Sequence, residues 1–281
     1  MSEAQATVVQ PAAKRRVISR GTVSTVVALF GLLAVFGVLN ALSYAGSLSG
    51  AGDDAVYVFG TALAVLPAAV MLWAARAIGP ASSVGKQWLL LALGACAFAA
   101  GDVVWTVIEL VLEQDPYPSV ADLLYPLMYA CFLAALVIAI KSYSSLMDIK
   151  RPLVLGTVVA LLSAVLVYLT VLQPYVFKAG PAELGIAGLV VSTFYPLGDV
   201  MVLLGPAVAL ALVMGPLGSG RFAWPWWLVI AGALVFTVTD SYFSYADWAG
   251  IGTTAVLDLG WLAALALFAG ASLVARDVYR S

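Results

Sequence analysis

Eight apolar stretches, at about 22–46, 55–78, 87–112, 120–141, 152–174, 184–213, 224–247 and 254–275, occupy nearly the whole chain. A bilayer core about 30 Å thick takes roughly 20 apolar residues per helix, and backbone in lipid must satisfy its own hydrogen bonds. The chain is therefore expected to fold as an all-α polytopic membrane protein of eight transmembrane helices. Composition agrees: 63% of residues are apolar and 10% charged, against roughly 25% charged in soluble domains. The expected organisation is a cytoplasmic tail at 1–21, four-helix repeats at 22–146 and 147–276, and a short cytoplasmic tail at 277–281.

Lys and Arg near helix ends stay on the cytoplasmic side. With eight helices, Lys14, Arg15, Arg16, Arg20, Arg76, Lys86, Lys141, Lys150, Arg151, Arg221, Arg276 and Arg280 share one side, and Lys178 alone falls on the other. Both termini are thus expected in the cytoplasm. The first apolar run is longer than the core of a cleaved secretory signal and reads as an anchor. Cys96 and Cys131 lie within spans, where a metal or redox site would need more ligands nearby; small core residues are the plainer reading. A net charge of −2 does not call for a nucleic-acid partner. The expected surroundings are the lipid bilayer, with Lys14, Arg15 and Arg16 placed to meet anionic headgroups.

The third and seventh stretches match at fixed spacing. Trp88, Gly94, Ala95, Phe98, Asp102, Trp105 and Glu109 correspond to Trp226, Gly232, Ala233, Phe236, Asp240, Phe243 and Asp247. After each comes Asp-x-x-aromatic, first Asp122 and Tyr125, then Asp258 and Trp261. Pro67-Ala68-Ala69-Val70 resembles Pro206-Ala207-Val208-Ala209 more weakly, and this register sets Asp199 opposite Gly60. Four helices separate the copies, so they run parallel, related by an axis along the membrane normal.

Ionisable groups within a membrane cost a few kcal/mol each and are functional candidates. Here they are all acids: Asp102, Asp122, Asp199, Asp240 and Asp258, with Glu109 and Asp247 nearer the boundary; the chain has no His. At 1.5 Å per residue, Asp102 stands about 22 Å from the cytoplasmic end of its helix, so the acids group toward the outer face. Steps of four, three and four put Phe98, Asp102, Trp105 and Glu109 on one helical stripe, and likewise Phe236, Asp240, Phe243 and Asp247. Acids with aromatic faces bind organic cations, several oxygens bind hard metal ions, and buried carboxyls carry protons. The structural alternative is that the aspartates fix the packing of two halves and the aromatics form an interfacial belt. Ser119 precedes Asp122 by three residues, a capping-box spacing; Thr254 precedes Asp258 by four. Tyr195-Pro196-Leu197-Gly198-Asp199 is either a plain kink or a loosened helix beside a carboxylate, as at transporter binding sites.

Gly101-Asp102-Val103-Val104-Trp105, the run from Asp115 to Leu127 with its Pro-Tyr-Pro-Ser-x-x-Asp loop, and Tyr195 to Asp199 together resemble a known type of region. It is the membrane-embedded N-terminal region of bacterial multi-pass signalling proteins, notably diguanylate cyclases and some histidine kinases. The resemblance implies a sensory module in the bacterial inner membrane. Those proteins carry a cytoplasmic catalytic domain after the last helix, whereas this sequence stops at Ser281. Output is then expected through a cytoplasmic or membrane signalling partner, and no enzyme is expected. The spans offer no basic clamp for phosphate chemistry and no histidine base for hydrolysis. Two functions stay open: a sensor or binding module for a small cationic or amphipathic ligand, and a cation- or proton-coupled transporter. The ligand-site candidates are Asp102, Trp105, Glu109, Asp122, Tyr125, Tyr195, Asp199, Asp240, Phe243, Asp247, Asp258 and Trp261.

Overall fold

The computed structural model describes residues 18–144, 147–218, 220–248 and 255–280. Helices make up the fold, with no strand among the described residues. They are α1 (Arg20–Tyr44), α2 (Ala51–Ile78), α3 (Ser83–Thr106), α4 (Ala121–Ser142), α5 (Lys150–Val167), α6 (Phe177–Gly198), α7 (Gly205–Met214), α8 (Trp224–Trp248) and α9 (Ala255–Arg280). Local chemistry sets several of the ends. Ser19 caps α1 by accepting the Thr22 N–H at 3.1 Å, and Ser82 caps α3 by accepting that of Gly85 at 2.9 Å. Helix α2 has Asp53 and Asp54 in its first turn and Arg76 in its last, matching the helix dipole at both ends.

Seven helical stretches among the described residues are long and apolar enough to cross a membrane. This is one fewer than the apolar stretches of the sequence, because the fifth and sixth join in a helical run, Lys150–Met214, of 65 residues. Unbroken, that run would reach about 98 Å, far beyond any bilayer core. It does not run straight. Gly180 and Gly185 leave the helical region, with φ of 65° and 68°, a conformation glycine adopts without steric cost. The run doubles back so that α5 lies against α7, where a side chain at Gly156 would come within 2.6 Å of the Gly205 carbonyl.

Large apolar side chains also face outward, among them Val23, Val27, Val38, Val154, Leu162 and Leu166. A helix apolar on its outer as well as its inner face suits a lipid surround. One contiguous core joins α1, α2, α3, α4, α7, α8 and α9. At its centre Trp88 meets Trp226 at 4.9 Å between ring centroids, Phe98 meets Phe236 at 5.5 Å, and Phe132 meets Phe268 at 4.9 Å. Gly94 makes room for Phe132 and Gly232 for Phe268. The first two pairs are the residues that the sequence spacing matches.

The two ends of the described chain meet. The Asp277 carboxylate accepts from the Ser19 N–H at 2.8 Å, the Thr22 hydroxyl at 2.6 Å and Arg276 at 2.6 Å, while Arg276 lies over the Trp73 ring. The start of α1 and the end of α9 therefore occupy the same end of the bundle as the end of α2.

Candidate functional site

Helix α4 carries much of the polar chemistry at the opposite end. Asp122, Tyr125 and Tyr129 follow at steps of three and four, which puts them on one face. One oxygen of Asp122 accepts the Ser119 N–H at 2.7 Å, the carboxylate half of a capping box. The Ser119 hydroxyl accepts from the Ala121 N–H at 3.1 Å. The other oxygen of Asp122 accepts from the Tyr195 hydroxyl on α6. Capping thus describes half of this carboxylate, and a contact with the later part of the chain takes the rest.

Tyr125 donates to Asp102 at 3.0 Å, and its ring stands edge-on to Tyr195 at 6.2 Å and against Phe98 at 5.3 Å. A matching bond lies in the second half, where Trp261 Nε1 donates to Asp240 at 3.2 Å. In both, the aromatic residue three after the first-turn aspartate reaches the aspartate of the preceding span. Phe243 packs on Trp261 at 5.3 Å.

Deepest of all is Asp199, fully buried. It opens a π-helical turn, Asp199–Leu204, directly after Pro196 and Gly198. Proline withholds an N–H, glycine adds freedom, and a π turn sets main-chain bonds one residue wider, a feature frequent at functional sites. The Tyr129 hydroxyl donates to Asp199 Oδ1 at 2.8 Å. Thr237, one turn before Asp240, donates to the Asp199 main-chain carbonyl at 3.5 Å. Asp240 adjoins the Asp199 side chain, and the Tyr129 hydroxyl reaches toward both acids. Asp199 Oδ2 is sealed from solvent with no hydroxyl or N–H donor among the described residues. The Asp240 carboxyl lies within hydrogen-bonding reach of the Asp199 side chain, so the two acids can share a proton.

Eight of the twelve candidates thus join one assembly: Asp102, Asp122, Tyr125, Tyr195, Asp199, Asp240, Trp261 and, through its ring, Phe243. The others stand apart. Beyond Thr106, a π turn at Val107–Val111 shifts the register of α3, so Glu109 does not continue toward α4. It accepts from Trp105 Nε1 at 2.9 Å and from the Tyr57 hydroxyl of α2. The expected single acid-aromatic stripe on this helix is therefore divided, with Asp102 turned to α4 and Glu109 to α2. Asp258 accepts from Asn40 of α1 at 2.8 Å. The Asp247 side chain and Thr254 lie outside the described residues.

Tyr129, Tyr57, Asn40 and Thr237 escaped the sequence reading, since none is an acid and none is among the residues of the repeated acid-aromatic motifs or the Tyr195–Asp199 segment that brought in the other candidates. The signal for Tyr129 was present: it lies four residues after Tyr125 and seven after Asp122. Among the described residues no three acidic or cysteine side chains gather closely enough to hold a metal ion by themselves. Two shallow apolar grooves, one between α1 and α9 and one along α6, do not reach the acids. Comparison with family models, curated proteins and solved structures gives no match.

Proposed function

We propose that this chain is a bacterial inner-membrane sensor or ligand-binding module that takes a small cationic or amphipathic ligand in the outer half of the bilayer and acts through a signalling partner. Its eight crossings form two parallel four-helix repeats with both termini in the cytoplasm. Parity supports the count, because α1 begins and α9 ends at one end of the bundle, which seven crossings would forbid. The doubled-back run Lys150–Met214 supplies the eighth. The repeat is supported by the Trp88–Trp226 and Phe98–Phe236 contacts and by the matching Tyr125–Asp102 and Trp261–Asp240 bonds. The side of the basic residues supports the orientation.

The observation that carries the functional reading is the pair of acids in the second half, buried Asp199 and the adjoining Asp240, which the Tyr129 hydroxyl of the first half reaches. Acids gathered in this way, with the basic residues of the spans confined to helix ends, attract a cation to the place where Tyr129 of the first half reaches the acids of the second. Binding there favours whichever arrangement of the halves closes around the ligand. The resemblance to sensory membrane regions supports the same reading. The test is a thermal-stability screen of the purified protein in nanodiscs with cations and organic amines. A ligand-dependent rise that vanishes in Asp199→Asn and Asp102→Asn is expected; no shift with any compound refutes the reading.

The π turn at Asp199 favours a second reading, a cation- or proton-coupled transporter, since broken helices line such sites. Proteoliposomes distinguish the two: gradient-driven flux that is lost in Asp199→Asn establishes transport.

A further inference from the structure

We propose that the outer part of the α5–α6 hairpin, residues 167–198, is a hinged flap over the acid assembly, latched to the first half by the Tyr117–Ser192 and Asp122–Tyr195 hydrogen bonds. This rests on the reading of those acids as a binding site and names what controls access to it. None of the described residues between 167 and 198 is a buried member of the main core, although Tyr195 leans on its edge. The flap has a separate apolar cluster, built on Val167, Val171, Leu172 and Val176, against which Leu184 and Leu189 pack. A segment with its own cluster and little share in the main one opens at lower cost than the rest of the fold.

Both arms of the hairpin have a place to bend. Helix α5 gives way to a π turn over Tyr168–Val176, and α6 to another over Asp199–Leu204, directly after Pro196 and Gly198; π turns and prolines are where helices kink. The inner end of the hairpin is clamped, since a Cβ at Gly156 would come within 2.6 Å of the Gly205 carbonyl and one at Gly205 within 2.7 Å of Ala160. The far end is held to the first half by polar groups. The Tyr117 and Ser192 hydroxyls are 2.6 Å apart, and the Tyr195 hydroxyl donates to Asp122. Ser192, Tyr195 and Asp199 follow at steps of three and four, so one face of α6 carries both the latch and the buried acid behind it. The rest of that face is small: the buried residues of α6 are Gly188, Ser192, Pro196 and Gly198. Ring contacts of Phe194 with Tyr129 and of Tyr175 with Tyr245 add to the seam. Hydrogen bonds within membranes couple weakly, and small side chains add little apolar contact to them. With the latch open, the space between α4 and α6 becomes a path from the side of the bundle to Asp199.

The experiment uses the full chain in nanodiscs with Cys96 and Cys131 replaced by Ala. Spin labels at Ile186→Cys and Val58→Cys report the flap, and labels at Val58→Cys and Val238→Cys report the body; all three positions are exposed. Cutting the latch with Tyr195→Phe and Ser192→Ala together is expected to raise the population of a second, longer Ile186–Val58 distance about tenfold, and either change alone about threefold. The body pair stays unchanged. Under the same cut, N-ethylmaleimide labels Thr237→Cys, beside Asp199, about tenfold faster, and labels Ala266→Cys in the main core no faster. The single variants carry the test if the double one fails to fold. An Ile186–Val58 distribution indifferent to the cut overturns the proposal, as does a body pair that broadens equally, or labelling of Thr237→Cys that does not quicken. Both readouts are taken without ligand, so a failed flap leaves the thermal-stability screen standing as the test of binding, and a failed screen leaves a flap that moves without a ligand to admit.

Discussion

Replacing Tyr129 by Phe removes one hydroxyl and little else, because the ring keeps its edge-on contact with Phe194 at 5.5 Å. That hydroxyl donates to Asp199 Oδ1 at 2.8 Å between residues that are 3% and 0% exposed. A hydrogen bond to a charged group contributes about 1.5–3 kcal/mol in soluble proteins. Pairs within membranes couple less, about 0.6 kcal/mol on average and up to about 1.7, because the unfolded chain in lipid finds other partners. Short length and complete burial place this pair at the upper end, so a double-mutant cycle of Tyr129→Phe with Asp199→Asn is expected to give a coupling of about 1.5 kcal/mol. Tyr129→Phe alone should cost about 2 kcal/mol, since it takes the hydroxyl donor from a sealed carboxyl. The assay is reversible unfolding by dodecyl sulfate in mixed micelles, with Tyr125→Phe and Asp102→Asn as the parallel cycle. A coupling below about 0.3 kcal/mol, within ordinary additivity, would refute the claim that this hydroxyl ties the first half of the chain to Asp199.

Other substitutions test the frame. Gly94→Ala and Gly232→Ala would set a methyl 2.7 Å from Phe132 and 2.5 Å from Phe268; each is expected to cost about 1–3 kcal/mol in the same unfolding assay. Gly31→Ala, with open space around it, should be neutral or slightly stabilising. Gly156→Ala pushes α5 from α7 against main-chain atoms that cannot rotate away, and should cost at least as much as Gly232→Ala. Asp277→Asn weakens the bonds to Ser19, Thr22 and Arg276, so amide exchange in the first turn of α1 should quicken while the centre of α3 is unchanged. With Cys96 and Cys131 replaced by Ala, single cysteines at Ser49 and Ser82 should be labelled by impermeant reagents from opposite sides of the membrane; labelling from one side refutes the topology.

The helices were legible because lipid demands a long apolar run for each crossing, and seven apolar helical stretches answer to runs visible in the chain. Lys150–Met214 was legible as two spans, with a break at Lys178, Gly180, Pro181 and Glu183, but not as one continuous helical run: the residues of that break stay largely helical, and Gly180 and Gly185 turn the chain. At the site, ionisable residues were easy to find, since cost alone marks them. Their partners were not. Tyr129 looks in sequence like one more apolar-span aromatic, and only its i+4 relation to Tyr125 links it to the acids. Glu109 shows the reverse failure, where spacing assumed a regular helix and the π turn after Thr106 redirected the side chain. The pairing of Asp199 with Asp240 joins positions whose repeat counterparts, Gly60 and Asp102, form no such pair, so no rule of spacing could reach it.

The central claim, that a cation at the junction of the halves changes their arrangement, is tested most directly by a distance across the opposite end of the bundle. Spin labels at Lys86→Cys in the first turn of α3 and Trp224→Cys at the start of α8 occupy matching, exposed positions. Double electron–electron resonance in nanodiscs should show the distance distribution shifting when the stabilising cation is added, and no shift in Asp199→Asn. Identical distributions with and without a cation that demonstrably binds would contradict the account.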